Sequence, residues 1–255
     1  MQDLSKLLLD GDTAAIQCAS DLGESALPLL DACSDHDEQD VRFLVVECLC
    51  ALGTPGAGRR LLRFCEDASH EVQLEAIHGL LEGQPIAGMG HELLAIYERQ
   101  GDGYLRRQLA LALGRLEAAE AGSQLAAKLH QVDQASDGLI AALARQGDAK
   151  AQLRLAELLR AAHNERVVEV LQLFRYVARP DCAWLLLPLL QREDVAQTVG
   201  TLGGSVARRT CDLALDELIH LLAGELNIRA REDLSAYRPE ELAQATALLR
   251  QRTPG

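Results

Sequence analysis

The chain has 255 residues, of which 48% are hydrophobic and only 3% aromatic, so its core must consist largely of Leu, Ala, Val and Ile. That composition favours closely packed helices and argues against an all-β sandwich. The net charge is −13, and residues 1–100 carry 6 Lys/Arg against 18 Asp/Glu, a charge that disfavours nucleic acid and favours a partner protein with a basic surface.

The N-terminal segment Met1–Asp12 contains one lysine and a short apolar run, Leu7–Leu9. This is too little for a secretory signal, and no stretch of the chain approaches 18 uncharged apolar residues. We therefore expect a cytoplasmic protein without a membrane anchor. The seven cysteines contain no CxxC spacing and fall in apolar stretches, so we expect reduced, buried thiols. They are Cys18, Cys33, Cys48, Cys50, Cys65, Cys182 and Cys211.

Glycines close successive apolar stretches at a spacing of about 30 residues, which is typical of stacked supersecondary units. They are Gly23, Gly53, Gly83 and, after one unit that lacks a glycine, Gly147. Each predicts a helix that ends in the left-handed conformation, which glycine adopts without a Cβ penalty.

Within the clearest unit, the second helix carries one buried apolar stripe at helical spacing. Its members are Val41, Leu44, Val45, Cys48 and Leu52. The same pattern recurs in the next two units, at Val72, Ala76 and Leu80 and at Leu105, Leu109, Leu113 and Leu116. The chain therefore predicts a series of helix pairs.

Two segments carry a family resemblance: Asp40-Val41-Arg42 running to Leu52-Gly53, and Leu105-Arg106 running to Leu116. They resemble the short HEAT-like repeats of bacterial proteins, including the phycobilisome-lyase type, and the likeness covers residues 12–224. The resemblance implies an all-α fold: a right-handed α-solenoid of about six HEAT-like helix pairs with a modified C-terminal cap. The resemblance implies no function, because proteins with the same repeat fold have many unrelated functions.

We expect residues 1–192 to form the repeat solenoid, with an acidic N-terminal half. Residues 193–255 would form the cap of the same solenoid, because the last repeat has no following one to cover its apolar face. There the sequence predicts an atypical loop, a long helix over Val206–Leu222 and a final helix that begins at Pro239.

Three kinds of motif could in principle bind phosphate, bind a metal or catalyse a reaction. The glycines of the cluster Gly200, Gly203 and Gly204 match neither GxxxxGK[ST] nor GxGxxG, the two spacings of phosphate-binding loops. The pairs His70-Glu71 and His91-Glu92 resemble those with which the HEAT-type deoxyhypusine hydroxylase holds two irons, but that enzyme needs four pairs. Cysteine catalysis would need an electropositive, partly open site, whereas these thiols have acidic neighbours. The sequence therefore predicts no catalytic, cofactor-binding or metal-binding residue.

A DNA-repair role was also weighed, because alkylpurine DNA glycosylases use a HEAT-like fold. Those enzymes present a basic face with aromatic residues. This chain has a single tryptophan, Trp184, and its arginines lie in a half of balanced charge. Surface pairing with nearby acids is the simpler account of those arginines.

Acidic residues cluster at three successive turns between paired helices, which stacking would align along one edge. They are Asp35, Asp37, Glu38 and Asp40, then Glu66, Asp67 and Glu71, then Glu98 and Asp102. Helix capping and solubility account for them structurally. The functional interpretation is an acidic edge that binds a basic protein.

The sequence thus predicts a non-catalytic interaction module, acting as a scaffold, an adaptor or an inhibitor of the immunity or antitoxin type. It predicts no cofactor, and it leaves the oligomeric state open. The alternative is an enzyme or enzyme-assisting factor such as a bilin lyase-type protein, which a visible absorption spectrum would distinguish.

Overall fold

A computed structural model describes residues 3–84, 88–116, 136–201 and 204–253. The chain forms two compact units, Met1–Val132 and Asp133–Gly255. Both are built mainly from helices, as the composition predicted. The domain boundary predicted after residue 192 falls inside the second unit, just before a β-hairpin. In the described part of the chain, no helix is long and apolar enough to cross a membrane.

The described helices of the first unit follow one another as short antiparallel pairs. They are α1 (Leu4–Leu9), α2 (Ala14–Leu22), α3 (Leu27–Cys33), α4 (Gln39–Leu52), α5 (Pro55–Phe64), α6 (His70–Glu82), α7 (Gly90–Arg99) and α8 (Gly103–Arg115), with a 3-10 turn at Gly23–Ala26. The second helices pack in series, α2 on α4, α4 on α6 and α6 on α8. Each second helix also packs on the first helix of its own pair.

The predicted apolar stripes form the core of this unit. In α4, Val41, Leu44, Val45 and Cys48 are buried, and Leu52 at the end of the stripe is half-buried. The corresponding residues of the later second helices are also buried: Val72, Ala76, Leu105, Leu109, Leu113 and Leu116. Leu80 is the exception, because it remains partly exposed. Burial of this stripe is the main force that joins each helix to its neighbours.

Two of the repeated glycines end their helices differently. Gly53 ends α4 in the left-handed conformation, with φ at 59°, as predicted. Gly83 has φ at −68° and an extended backbone, so the prediction of a left-handed end is wrong there. Glycine is needed at Gly83 for another reason, because a Cβ would lie 2.7 Å from the carbonyl oxygen of Gly79.

A third glycine sets the distance between two second helices. A Cβ on Gly79, in the middle of α6, would lie 2.3 Å from Cys50 Sγ and 2.9 Å from Leu61 Cδ1. The absent side chain thus lets α6 approach both α4 and α5 closely. This approach shapes the surface that lies between α4 and α6.

The second unit combines helices with a small sheet. Its described elements are α9 (Asp137–Arg145), α10 (Ala149–Ala161), α11 (Glu165–Val177), 3-10 turns at Pro180–Leu186 and Leu189–Gln191, β1 (Val195–Thr201), β2 (Gly204–Arg209), α12 (Thr210–Leu221) and α13 (Pro239–Arg252). Helix α9 packs on α10 and α11, and α11 packs on α12. The final helix begins at Pro239, as predicted.

The chain is mostly helical, in agreement with the predicted all-α class, and the hairpin corrects one prediction, the long helix over Val206–Leu222. Strands β1 and β2 pair antiparallel, with Thr198 opposite Ala207 and Val199 opposite Val206, and the helix begins only at Thr210. β-Branched residues in this stretch, Val195, Thr198, Val199 and Val206, favour an extended chain. The strand residues Val206-Ala207-Arg208-Arg209 show no apolar alternation, so periodicity alone did not separate them from the helix that follows.

A polar network holds the hairpin and the last segment against α12. Arg208 is only 3% exposed and donates to Asp216 at 2.5 Å, and Tyr237 Oη donates to the same carboxylate. Arg209 donates to Asp212 through two nitrogens. The sequence analysis expected arginines to pair with nearby acids at the surface; Arg208 and Arg209 do pair with acids of α12, but Arg208 lies in the interior.

Candidate protein-binding surfaces

The nine acidic residues predicted to bind a partner lie at three turns of the first unit. Asp35, Asp37, Glu38 and Asp40 lie between α3 and α4, or at the start of α4; Glu66, Asp67 and Glu71 between α5 and α6, or at the start of α6; Glu98 and Asp102 between α7 and α8, or at the end of α7. Eight of the nine are exposed, and only Asp67 is partly buried. Their hydrogen-bond and ion-pair partners within the fold distinguish the structural acids from those that are available for binding.

Asp67 is a structural residue. Its carboxylate accepts hydrogen bonds from Arg42 Nε and Nη2, at 2.8 and 2.9 Å, and the two side chains are only 9% and 13% exposed. It also accepts from the Ser69 amide at 2.8 Å. Burial alone would raise the pKa of Asp67, but the hydrogen bonds from Arg42 and Ser69 and the charge of Arg42 hold it below its ordinary value.

Arg42 also fixes the preceding turn. Its Nη1 donates to the carbonyl oxygens of His36 and Asp37, at 2.8 and 3.0 Å. One guanidinium on α4 therefore joins the α3–α4 turn to the α5–α6 turn. Such a planar fork with several donors suits arginine and not lysine.

Further ion pairs connect neighbouring helix pairs in the same way. Glu66 accepts two bonds from Arg99 at 2.8 Å, Asp31 accepts two from Arg60 at 2.7 Å, and Asp35 accepts one from Arg63 at 3.3 Å. We call the four pairs Asp31–Arg60, Asp35–Arg63, Arg42–Asp67 and Glu66–Arg99 the inter-pair ladder. Partners lie 25–33 residues apart, close to the repeat length.

Two more of the predicted acids have local structural partners. Glu71 accepts from Gln39 on α4 at 2.7 Å. Asp102 caps α8 by accepting from the amides of Tyr104 and Leu105. Glu98 is exposed near the end of α7 and has an interaction of its own. The capping interpretation therefore holds at Asp102, and the ladder accounts for Asp35, Glu66 and Asp67.

The carboxylates of Asp37, Glu38 and Asp40 form no ion pair with any residue that the structure describes. All three are exposed. We call them the turn trio. Their carboxylates therefore remain available to a binding partner, although the charge of Asp37 also acts on Arg42.

A second acidic surface lies on the second helices and was missed from the sequence. Glu47 on α4 and Glu75 and Glu82 on α6 are half-buried or exposed, and within the described ranges none has an ion-pair partner. We call these three residues the α4–α6 acidic face. The seven-residue spacing of Glu75 and Glu82, two helical turns, was a signal that could have indicated it.

The α4–α6 acidic face borders a hollow of about 310 Å³, whose lining includes Cys50, Glu75, His78, Gly79 and Glu82. Burial, followed by the charge of Glu75, raises the pKa of Glu47. Burial and then the charges of Glu75, Glu82 and Glu47 raise the pKa of Cys50 to about 12. The site thus favours a positive charge and disfavours a thiolate.

The thiols are mostly buried, whereas His70 and His91 are exposed. All seven cysteines are free, six are buried, and Cys50 is half-buried. Burial also raises the pKa of Cys48 and Cys65 to about 12. Over residues 3–84, 88–116, 136–201 and 204–253, no three His, Cys, Asp or Glu side chains are grouped to hold a metal ion. His70 begins α6, and His91 lies in the first turn of α7.

Comparisons with protein-family models, with curated proteins and with solved structures gave no match to this chain. The likeness to HEAT-like repeats therefore depends on the sequence pattern alone.

Proposed function

We propose that this protein is a non-catalytic interaction module, and that the acidic first unit binds a basic surface on a partner protein. The observation that carries the proposal is the α4–α6 acidic face. This face carries three carboxylates without ion-pair partners among the described residues, and two of them, Glu75 and Glu82, line a hollow. Burial raises the pKa of Glu47, so the charge of that residue is unfavourable in the unbound protein. A lysine or arginine side chain from a partner would neutralise that charge in a partly dehydrated setting.

The turn trio would extend the same electrostatic field along a neighbouring edge. Opposite charges that are exposed mainly accelerate association, whereas partly buried ones mainly slow dissociation. We therefore assign the longer lifetime of the complex to the partly buried Glu47 and Glu75, and its faster formation to the exposed Glu82 and the turn trio.

For the architecture, we propose that the helix pairs belong to a right-handed solenoid of HEAT-like repeats. The series packing of α2, α4, α6 and α8 and the one-repeat spacing of the inter-pair ladder support this proposal. In a solenoid the second helices share one continuous surface, which is where such repeats bind their partners. Seven free cysteines support a reducing compartment such as the cytoplasm.

A scaffold, an adaptor and an inhibitor would all use such a surface. An inhibitor of the immunity or antitoxin type is one concrete form, because an acidic surface suits a cationic nuclease. The rival proposal is a bilin lyase-type factor. A visible absorption spectrum of the purified protein distinguishes them, since a bound bilin is coloured.

The test is affinity capture from the native lysate with the full chain as bait, at low and at high salt. The bait is compared with the triple variant Glu47→Gln, Glu75→Gln, Glu82→Gln. We expect the wild type to capture a basic protein that high salt releases, and the triple variant to bind it at least about tenfold more weakly.

A matched control separates the surface from the net charge. The variant Asp10→Asn, Glu157→Gln, Glu232→Gln changes the charge equally, at three exposed residues outside both acidic surfaces. It should bind as the wild type does. Equal losses in both variants would reduce the effect to overall charge, and a loss in neither would overturn the proposal. Neutralising the turn trio should slow association and leave dissociation nearly unchanged.

A further inference from the structure

The hairpin of the second unit has an open edge. Strand β1 pairs with β2 along one edge only, and no backbone hydrogen bond joins β1 to α11 in the described chain. A strand edge presents unpaired amide and carbonyl groups, and two-stranded hairpins are marginally stable by themselves. An added strand would satisfy these groups and stabilise the hairpin.

The register indicates which groups face outward. Residues of an antiparallel pair alternate between those that bond to each other and those that direct N–H and C=O away. Counted from the closing pair Thr201 and Gly204, the pair Thr198 and Ala207 directs these groups away from the sheet. Thr198 and Ala207 are exposed, so nothing in their own unit covers them.

Beside β1 lies a hollow of about 500 Å³ that is open to solvent. One wall is β1 from Val195 to Thr198, and the other is the start of α11, including Glu165, Val168 and Glu169. Val195 is 49% exposed and adds apolar surface to this wall. The hollow therefore offers a backbone edge, an apolar surface and carboxylates together.

The charges around the hollow indicate which kind of strand could bind there. Arg166 neutralises Glu169 and also contacts Asp137, whereas Glu165 is exposed and has no ion-pair partner in the described ranges. A second copy of β1 is a poor occupant, because that strand contains no basic residue and would bring a second acidic wall with it. A partner strand with basic side chains complements Glu165.

We propose that the open edge of β1 binds an extended segment of another protein by β-strand addition. Backbone bonds at Thr198 hold the segment, its apolar side chains contact Val195 and Val168, and a basic side chain pairs with Glu165. Main-chain bonding of this kind supplies affinity, and the alternate side chains supply specificity. This site lies in the second unit and does not depend on the α4–α6 acidic face.

The probe is a synthetic heptapeptide, TVKVKVT, added to the full chain. We expect binding measured by fluorescence anisotropy, with amide chemical-shift changes at residues 195–200 and 164–169. The same peptide, N-methylated on alternate amides along one edge, keeps its charge but cannot donate from that edge. Binding of both peptides with equal affinity would overturn the proposal, as would shifts confined to Glu47, Glu75 and Glu82.

Two proline variants form a matched pair. Thr198→Pro removes an outward amide from β1, and Ala207→Pro removes the corresponding outward amide from β2, so neither removes a bond between the strands. We expect Thr198→Pro to weaken peptide binding at least about tenfold and Ala207→Pro to change it less than about twofold. Equal effects of the two would contradict strand addition at β1.

A charge variant keeps the test independent of hairpin folding. Glu165→Lys leaves the backbone of β1 intact, and it should weaken TVKVKVT about tenfold while strengthening the peptide TVEVEVT. No change with either peptide would remove Glu165 from the site. Concentration-dependent self-association of the chain, abolished by Thr198→Pro, would instead assign the edge to a second copy and refute the heterologous occupant.

Discussion

The two acidic surfaces of the first unit differ in what neutralises them. In the inter-pair ladder, each carboxylate is paired with an arginine from a neighbouring helix pair, as Asp67 is with Arg42. On the α4–α6 acidic face, Glu47, Glu75 and Glu82 have no such partner in the described structure. The arginines of the ladder lower the pKa of Asp31, Glu66 and Asp67, whereas burial on the face raises the pKa of Glu47. Acids of equal charge thus serve the fold in one place and remain available in the other.

The largest effect is expected from Asp67→Asn. The substitution leaves the Arg42 guanidinium, only 13% exposed, without a compensating charge. We expect unfolding to become easier by about 3 kcal/mol, the usual penalty for breaking one partner of a largely buried pair. Urea denaturation at pH 7 measures it. The exposed pair provides the control, because Glu66→Gln at the Arg99 contact should change stability by less than about 1 kcal/mol.

The same variant has a pH signature. The folded pKa of Asp67 lies below its ordinary value of 3.8, so its contribution is present above that value and is lost as the pH falls through the folded pKa. The difference between the wild type and Asp67→Asn should therefore shrink below about pH 4. A difference that stays constant down to pH 2 would show that packing, and not charge, accounts for the loss.

An intermediate effect is expected at the contact that shapes the α4–α6 acidic face. In an open helix Gly79→Ala would stabilise by up to about 1 kcal/mol, but here the new methyl group meets Cys50 Sγ and Leu61 Cδ1. We expect a net loss of about 1–2 kcal/mol, since overpacking displaces both neighbours. Thermal or urea unfolding measures it.

A double-mutant cycle identifies the clash at Gly79. In a Cys50→Ala background the sulfur atom is absent, so the loss caused by Gly79→Ala should fall by about half. Purely additive effects would mean that Leu61 alone, or the helix backbone, resists the methyl group. In that case the close approach of α4 and α6 would not depend on the Gly79–Cys50 contact.

The sequence predicted the helices and the apolar stripes, because side-chain periodicity is a local property of the chain. It did not predict the partners of the acids, since Arg42 and Asp67 lie 25 residues apart and meet only through packing. The hairpin was missed because the apolar residues after Val206 were taken for the start of a helix. The α4–α6 acidic face does not show as a cluster in the sequence, because its glutamates are dispersed over two helices and meet only through packing.

The smallest effect distinguishes the two surfaces most clearly, because its sign is reversed. Burial and the charge of Glu75 make an ionised Glu47 unfavourable, so Glu47→Gln should stabilise the free protein by about 0.5 kcal/mol at pH 7. The folded pKa is raised above the ordinary value of 4.5, so the penalty develops as the pH rises through that value and vanishes below it. Urea denaturation at pH 4 and pH 7 should show the gain only at the higher pH. Destabilisation at pH 7 would mean that Glu47 already has a cationic partner within the fold, and the α4–α6 acidic face would then be a structural element like the ladder.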